Sequence, residues 1–587
     1  MSFSFKRRRG FTGALAVTAA AALVITGCTT DTGGDEPDDT NGGGETTTGG
    51  TVTIATTNAL TSLHSGTSEH NLNTNGMVDH LTGNGGIGSF LTVNADLEVV
   101  PDTTNGTYEL VSDDPLQVRY TLNENAVWSD GTEMTVDDLL LSWVIGSGWF
   151  SSDDASYFAL AGSTSGLDTT EFPEIDREAK TLTLTYGEPY VDWNLVNLIG
   201  KPAHVFAKQV DMTAEELTQF FTDTPQGEQD NETLTTIGEF HNTGYAITQM
   251  PTDEDLLVAA GPYVVSDFQA NDGGYVELSV NPNWQGQAPG VDTVIIKFLG
   301  DASTQIQQLA NGEVNVIEPQ ADANTLQTLE NQGSEVIMGD QLSYDHIDLS
   351  FRGVFEDANV REAFLKTIPR QAILDAIIAP VNPDAEVLNS QIFVNSNEEY
   401  ADAEASNGYS EFTEPDIEGA RELLAGATPE VRILYANANP NRVNTFRLIQ
   451  QSAEEAGFVI VDEGDPEWGS RLGSDDYDAA IFGWISPGVG YAGLPQIFAT
   501  GGGGNYNNYS NAEIDELVAE SQTLIDDAER MKEIQIAIDT HTASDFYGLP
   551  LFQSPGVVAT DGSVDGIIYN PTQTGVVFNI LDWTVSS

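Results

Sequence analysis

Residues 122–143 read LNENAVWSDGTEMTVDDLLLSW, directly after the alternating run Gln117-Val118-Arg119-Tyr120-Thr121-Leu122. Alternation of apolar and polar residues predicts a half-buried strand over that run. Trp128-Ser129-Asp130-Gly131-Thr132 then supplies a polar turn in which Gly131 can take a positive φ. Thr135 stands three residues before Asp138, the spacing of a capping box, and predicts a helix running through Leu139, Leu140 and Trp143. A strand, a tight turn and a capped helix follow one another within thirty residues or so, as in an α/β protein.

The rest of the chain repeats that mixture. Val52 to Ala55 reads as a first strand. Apolar residues spaced three and four apart predict helices around Val360, Ala363, Phe364 and Thr367, around Ile417, Ala420, Leu423 and Leu424, and around Ile514, Leu517 and Val518. Gly501 to Gly504 reads as a mobile loop, and no internal repeat is present. The roughly 537 residues from Thr51 onward are too many for one core and predict three or four domain-sized units.

The N-terminus reads as a targeting segment. Lys6, Arg7, Arg8 and Arg9 precede an uncharged run from Phe11 to Ile25, shorter than the roughly 20 residues that span a bilayer. The run ends in Ile25-Thr26-Gly27-Cys28, which resembles the lipobox of bacterial lipoproteins and makes Cys28 the lipidation site of a signal peptide covering residues 1–28. Cys28 is the only cysteine, so no intramolecular disulfide can form. Arg8-Arg9-Gly10-Phe11 also resembles a twin-arginine signal, which leaves both export routes open. Residues 29–50, rich in Gly, Thr, Asp and Glu, lack the apolar residues needed to offset ordering entropy. They predict a flexible acidic tether reaching roughly 25 Å.

Against 21 Lys and Arg stand 90 Asp and Glu, a net charge of −69. Such a field repels phosphate and anionic headgroups, and excludes nucleic acid and membrane-surface binding. The acidity reads first as hydration of the surface and second as steering of a cationic ligand. Enzyme motifs are lacking. Gly162-Ser163-Thr164-Ser165-Gly166 has the glycines of a nucleophile elbow but threonine at its centre, and neither a phosphate-binding loop nor HExxH occurs. No cofactor is expected. His64, His70 and His80, three of seven histidines, give a metal reading some support, though their spacing fits no tight ligand motif.

Residues 122–143 closely resemble the signature of the family 5 extracellular solute-binding proteins, the oligopeptide- and dipeptide-binding lipoproteins of ABC importers. Further motifs resemble the same family in the same order: Pro202-Ala203-His204-Val205, Gly261-Pro262-Tyr263 through Asn281-Pro282-Asn283-Trp284, Gly312-Glu313-Val314-Asn315-Val316, Val360-Arg361-Glu362-Ala363-Phe364, Ile481-Phe482-Gly483-Trp484 and Leu549-Pro550-Leu551-Phe552. Pro369 predicts that the helix after Val360 ends a turn early.

The resemblance implies an α/β, two-lobe periplasmic-binding-protein-like fold (class II) with a third, smaller inserted domain. Lobe I would comprise residues 51–92, 205–340 and 546–587, the inserted domain 93–204, and lobe II 341–545. It implies a monomer, anchored outside the membrane by Cys28, that delivers a peptide or peptide-like solute to permease subunits. A nickel chelate or a neutral or glycosylated solute is the alternative. Solute contacts are expected at Asn58, Leu63 and His64 on the first-lobe rim, and at Tyr344 and Asp345 just after a crossing strand. The second lobe would add Phe482, Gly483, Trp484, Ser486 and Tyr506, with Trp484 stacking and Gly483 admitting close main chain. Peptide-binding relatives commonly carry an aspartate shortly after the Gly-Trp pair to hold the ligand's α-ammonium, but Gly483 to Tyr491 contains no acid. Blocked peptides should therefore be tolerated, unless Asp345 supplies the missing carboxylate.

Overall fold

The computed structural model describes residues 46–586, apart from residues 48, 68, 152–155, 162–163, 165, 229, 272, 320, 398, 486–488 and 526. The signal peptide with Cys28, most of the tether and the expected contact Ser486 lie outside the described residues.

Ten strands form the large sheet: β1 (Thr51–Thr56), β2 (Tyr263–Gln269), β3 (Tyr275–Val280), β4 (Thr293–Phe298), β5 (Val316–Ile317), β6 (Glu335–Leu349), β7 (Glu430–Ala436), β8 (Val459–Asp465), β9 (Ala479–Ile485) and β10 (Gly548–Thr560). Their order is β8-β7-β9-β6-β10-β5-β1-β4-β3-β2. β1 runs parallel to β4 and β5, and β7 parallel to β8 and β9. Between these two parallel blocks lie β6 and β10, antiparallel to each other. A second sheet, of four antiparallel strands from Gly106 to Thr185, shares a continuous core with β1 to β4. Separate apolar cores form around Ile347, Phe364 and Ile433 and around Leu388, Phe498 and Ile534.

Residues 116–147 fold as their sequence dictates. The strand Leu116–Leu122 buries alternate residues, and Gly131 has φ of 84°. Thr135 and Asp138 form a reciprocal capping box at the start of the helix Val136–Ser147. Asp138 also accepts the Ala203 N–H at 2.8 Å, at the head of the helix Ala203–Lys208. Burial outweighs these bonds and pushes the Asp138 carboxyl up to about 6. Trp128 is buried, and Asp130 pairs with His204 at 3.1 Å, so both hold the fold. Pro369 does break the helical run: one helix ends at Leu365 and the next begins at Arg370.

Two local expectations change. The tether through Gly50 ends earlier, because the backbones of Thr46 and Thr47 pair with Ser586 and Val585. Strand pairing of that kind needs no apolar side chain. Gly501–Gly504, expected as a mobile loop, is tied by N–H bonds from Gly502 to Ala499 O and from Gly504 to Gln496 O.

Within the pair of β6 and β10, Gly339 stands opposite Gly556. A Cβ on Gly339 would lie 2.0 Å from the Tyr569 ring, and one on Gly556 2.0 Å from its hydroxyl. Both positions must be glycine for Tyr569 to lie against the strand pair.

Candidate functional site

A cavity of about 1000 Å³ lies where the cores meet. β6 contributes Asp340 and Tyr344, β9 contributes Trp484, and the region before the second sheet contributes Asp96 and Glu98. Asp192, Gln391, Glu399, Asp527, the segment from Val489 to Phe498, the helix Ala528–Ser544 and Tyr569 also line it.

Trp484 belongs to an aromatic ladder. Its ring lies parallel to Tyr506 at 5.9 Å and to His346 at 6.3 Å, and edge-on to Phe482 at 5.4 Å. Tyr344 donates its hydroxyl hydrogen to Gln391 O at 2.7 Å. Asp192 accepts the N–H groups of Tyr491 at 2.8 Å and Ala492 at 2.7 Å, joining segments 300 residues apart. Gly490, with φ of 87°, sits so close that a Cβ would lie 2.8 Å from Asp192 Oδ2. Burial raises the Asp192 carboxyl above its ordinary range despite those amides.

Of the expected contact residues, Tyr344 and Trp484 line this cavity. The others stand elsewhere. Leu63 and His64 are buried in the first core. His64 lies 4.8 Å from the His241 ring and 3.1 Å from Asn84 Nδ2. Burial, followed by His241, holds its pKa well below the usual imidazole range. Asn58 is exposed, and its carbonyl accepts the Thr74 hydroxyl at 2.8 Å. Phe482 is buried under the ladder, and Tyr506 backs Trp484 from behind. Tyr344 and Asp345 lie within the crossing strand and not after it, because β6 continues unbroken to Leu349. Asp345 is tied to Arg442 through two bonds of 3.1 and 3.2 Å. Gly483 gives that pair its room, since a Cβ there would lie 2.9 Å from Asp345 Oδ1 and 3.0 Å from Arg442.

The three N-terminal histidines do not converge. His70 bonds Thr67, and His80 bonds Phe578 O at 3.1 Å. Among the described residues no three His, Cys, Asp or Glu side chains group as metal ligands.

Sequence reading missed Asp192, Asp340, Gln391 and Tyr569. Asp192 carries no local signal, because its partners lie 300 residues away.

The profile of the bacterial extracellular solute-binding proteins, family 5 Middle, matches residues 98–505. The chain belongs to this family. An uncharacterized lipoprotein of Mycobacterium leprae is 25% identical over 509 residues, covering 84% of this chain and 86% of the relative. The oligopeptide-binding protein OppA of Mycobacterium tuberculosis is 25% identical over 473 residues, covering 77% of this chain and 71% of its own. Among solved structures, the periplasmic EDTA-binding protein EppA superposes with a TM-score of 0.77 at 21% identity, covering 93% of this chain and 98% of that one. The family 5 solute-binding protein therefore has the two-lobe α/β fold with an extra domain, and the strands β6 and β10 run between its two parallel blocks. Among the described residues no helix is long and apolar enough to cross a membrane.

Proposed function

We propose that this family 5 protein is the lipid-anchored capture component of an ABC importer, and that its solute is a peptide or peptide-like molecule held in the cavity between the lobes. We assign residues 51–92, 205–340 and 546–587 to lobe I, 93–204 to the inserted domain and 341–545 to lobe II. The solute is bound and handed on without chemical change.

One observation carries the reading: a cavity of about 1000 Å³ walled by Tyr344, Trp484 and Tyr569 and bordered by the crossing strands. That volume lies at the upper end of ordinary small-molecule sites, and aromatic walls with a few polar groups are what such sites use. Its charge disfavours a polyanionic chelate. Lys532 is the one Lys or Arg among the described lining residues, and it is already paired with Asp402.

Isothermal titration of the lipid-free protein with a random pentapeptide library, and separately with nickel plus histidine, tests the class of solute. Micromolar heat from the nickel complex with none from any peptide pool would overturn the reading. The anchor is tested by Cys28→Ser, which should move the protein from the membrane fraction to the soluble fraction. Retention of the variant on membranes would refute it.

A further inference from the structure

Among the described residues six carboxylates line the cavity, and most have structural partners or face water. Asp192 holds two backbone amides, Asp527 caps the helix Ala528–Ser544, and Glu98 accepts from Asn94. Asp96 is exposed, and Glu399 lies in the field of Lys532. Asp340 differs. It stands where the ladder between β6 and β10 is interrupted, between Asp340 and Tyr344. Its side chain is half-buried in the cavity wall and makes no hydrogen bond or ion pair with any described residue. Burial raises its carboxyl above the ordinary range, the direction expected of an acid with no counter-charge.

Polar groups in native proteins nearly always find partners, so a carboxylate left without one in a cavity wall marks where a bound molecule can supply it. While the cavity holds water, Asp340 can be hydrated. A solute that fills the cavity removes that water, and an ionised carboxylate stripped of water without a compensating charge is strongly disfavoured. Binding then requires the solute to bring its own cation.

We propose that Asp340 is the counter-ion for a protonated amine or guanidinium on the solute, and that the cavity selects cationic peptides or peptide-like molecules. This assignment rests on the peptide-like reading above. It locates the ammonium partner on the crossing strand, and not after Gly483-Trp484 or at Asp345.

The test uses the ligand-free protein, Asp340→Asn and Asp340→Glu in calorimetric titrations with two matched pairs. One is pentaalanine with a free or acetylated N-terminus. The other is N-acetylated Ala-Ala-Lys-Ala-Ala with a free or acetylated lysine. In at least one pair the cationic form should bind roughly 10- to 100-fold tighter, the range for a hydrogen bond to a charged group. That preference should collapse in Asp340→Asn and return in part in Asp340→Glu. Asp340→Asn should melt no lower than the parent, because it removes an unpaired charge. Equal binding within both pairs, or a preference that survives Asp340→Asn, overturns the role of Asp340 and leaves the peptide reading standing. If no peptide binds, spermidine and arginine amide are titrated. Binding abolished by Asp340→Asn would uphold Asp340 and remove the peptide reading, and absence of any binding would overturn both.

Discussion

Asp192 and Asp340 line the same cavity, and burial raises both carboxyls. Around Asp192 the protein has answered every demand. The amides of Tyr491 and Ala492 point at the carboxylate, and glycine at position 490 makes the approach possible. Around Asp340 the described residues supply no hydrogen bond and no counter-charge. The contrast separates a carboxylate that holds the protein together from one left for something else to satisfy. Burial alone could not have told them apart, since local conflicts left unresolved in a native fold concentrate at functional sites.

Three substitutions would sharpen or break this contrast. The largest effect is expected from Asp192→Ala, which leaves two amides without their charged acceptor. It should weaken the joint between the segments around residues 192 and 491 by about 3 kcal/mol. The radius of gyration of the solute-free protein in small-angle scattering should rise and affinity should fall. An unchanged radius and affinity would show that the contact holds nothing closed.

Trp484→Ala comes next. Loss of the cavity-facing ring should weaken solute binding by about 1–3 kcal/mol, and loss of its stacking on Tyr506 and His346 should lower stability by about 1 kcal/mol. Early melting with unaltered binding would assign Trp484 to the core alone.

The smallest effect concerns pH. Because the folded-state pKa of Asp340 lies above its ordinary value of 3.8, this side chain favours the folded protein when protonated, and that contribution is lost as pH rises through the folded pKa. Asp340→Asn should therefore raise the melting temperature slightly at pH 7, and the gain should vanish below about pH 4. At Asp192 the same substitution also replaces an oxygen of the carboxylate that accepts the Tyr491 and Ala492 amides, so the lost acceptor opposes the gain from removing a buried charge and the rise should be smaller or reversed. Equal and same-signed shifts from the two variants would erase the distinction between them.

What the sequence made legible follows from distance along the chain. The capping box at Thr135 and Asp138, the turn at Gly131 and the helix break at Pro369 are each encoded within a few residues, and each forms as read. The cavity is built otherwise. Two of its features, Tyr344 and Trp484, were legible because the resemblance marked both as solute contacts; that β6 and β9 pair Tyr344 with Trp484 was not foreseen. Asp345 and Gly483 sit in that same register but serve each other: the glycine makes room for the Asp345–Arg442 pair. His64 was expected at a rim because it follows a strand, yet the inward turn of the chain buries it against His241. Asp192 and Tyr491 meet only once the whole chain has folded, and no local pattern announces such a meeting.

The glycines at 339 and 556 carry a mechanical consequence. Two antiparallel strands joined by hydrogen bonds form a thin ribbon, stiff against shear in its own plane and compliant to bending out of it. Where both strands lack side chains, that ribbon is at its thinnest, and Tyr569 rests against this section like a stop against a leaf spring. Flexing towards Tyr569 meets the ring at once. Bending of the strand pair towards that face is limited by a single aromatic ring, and that ring is also part of the cavity wall.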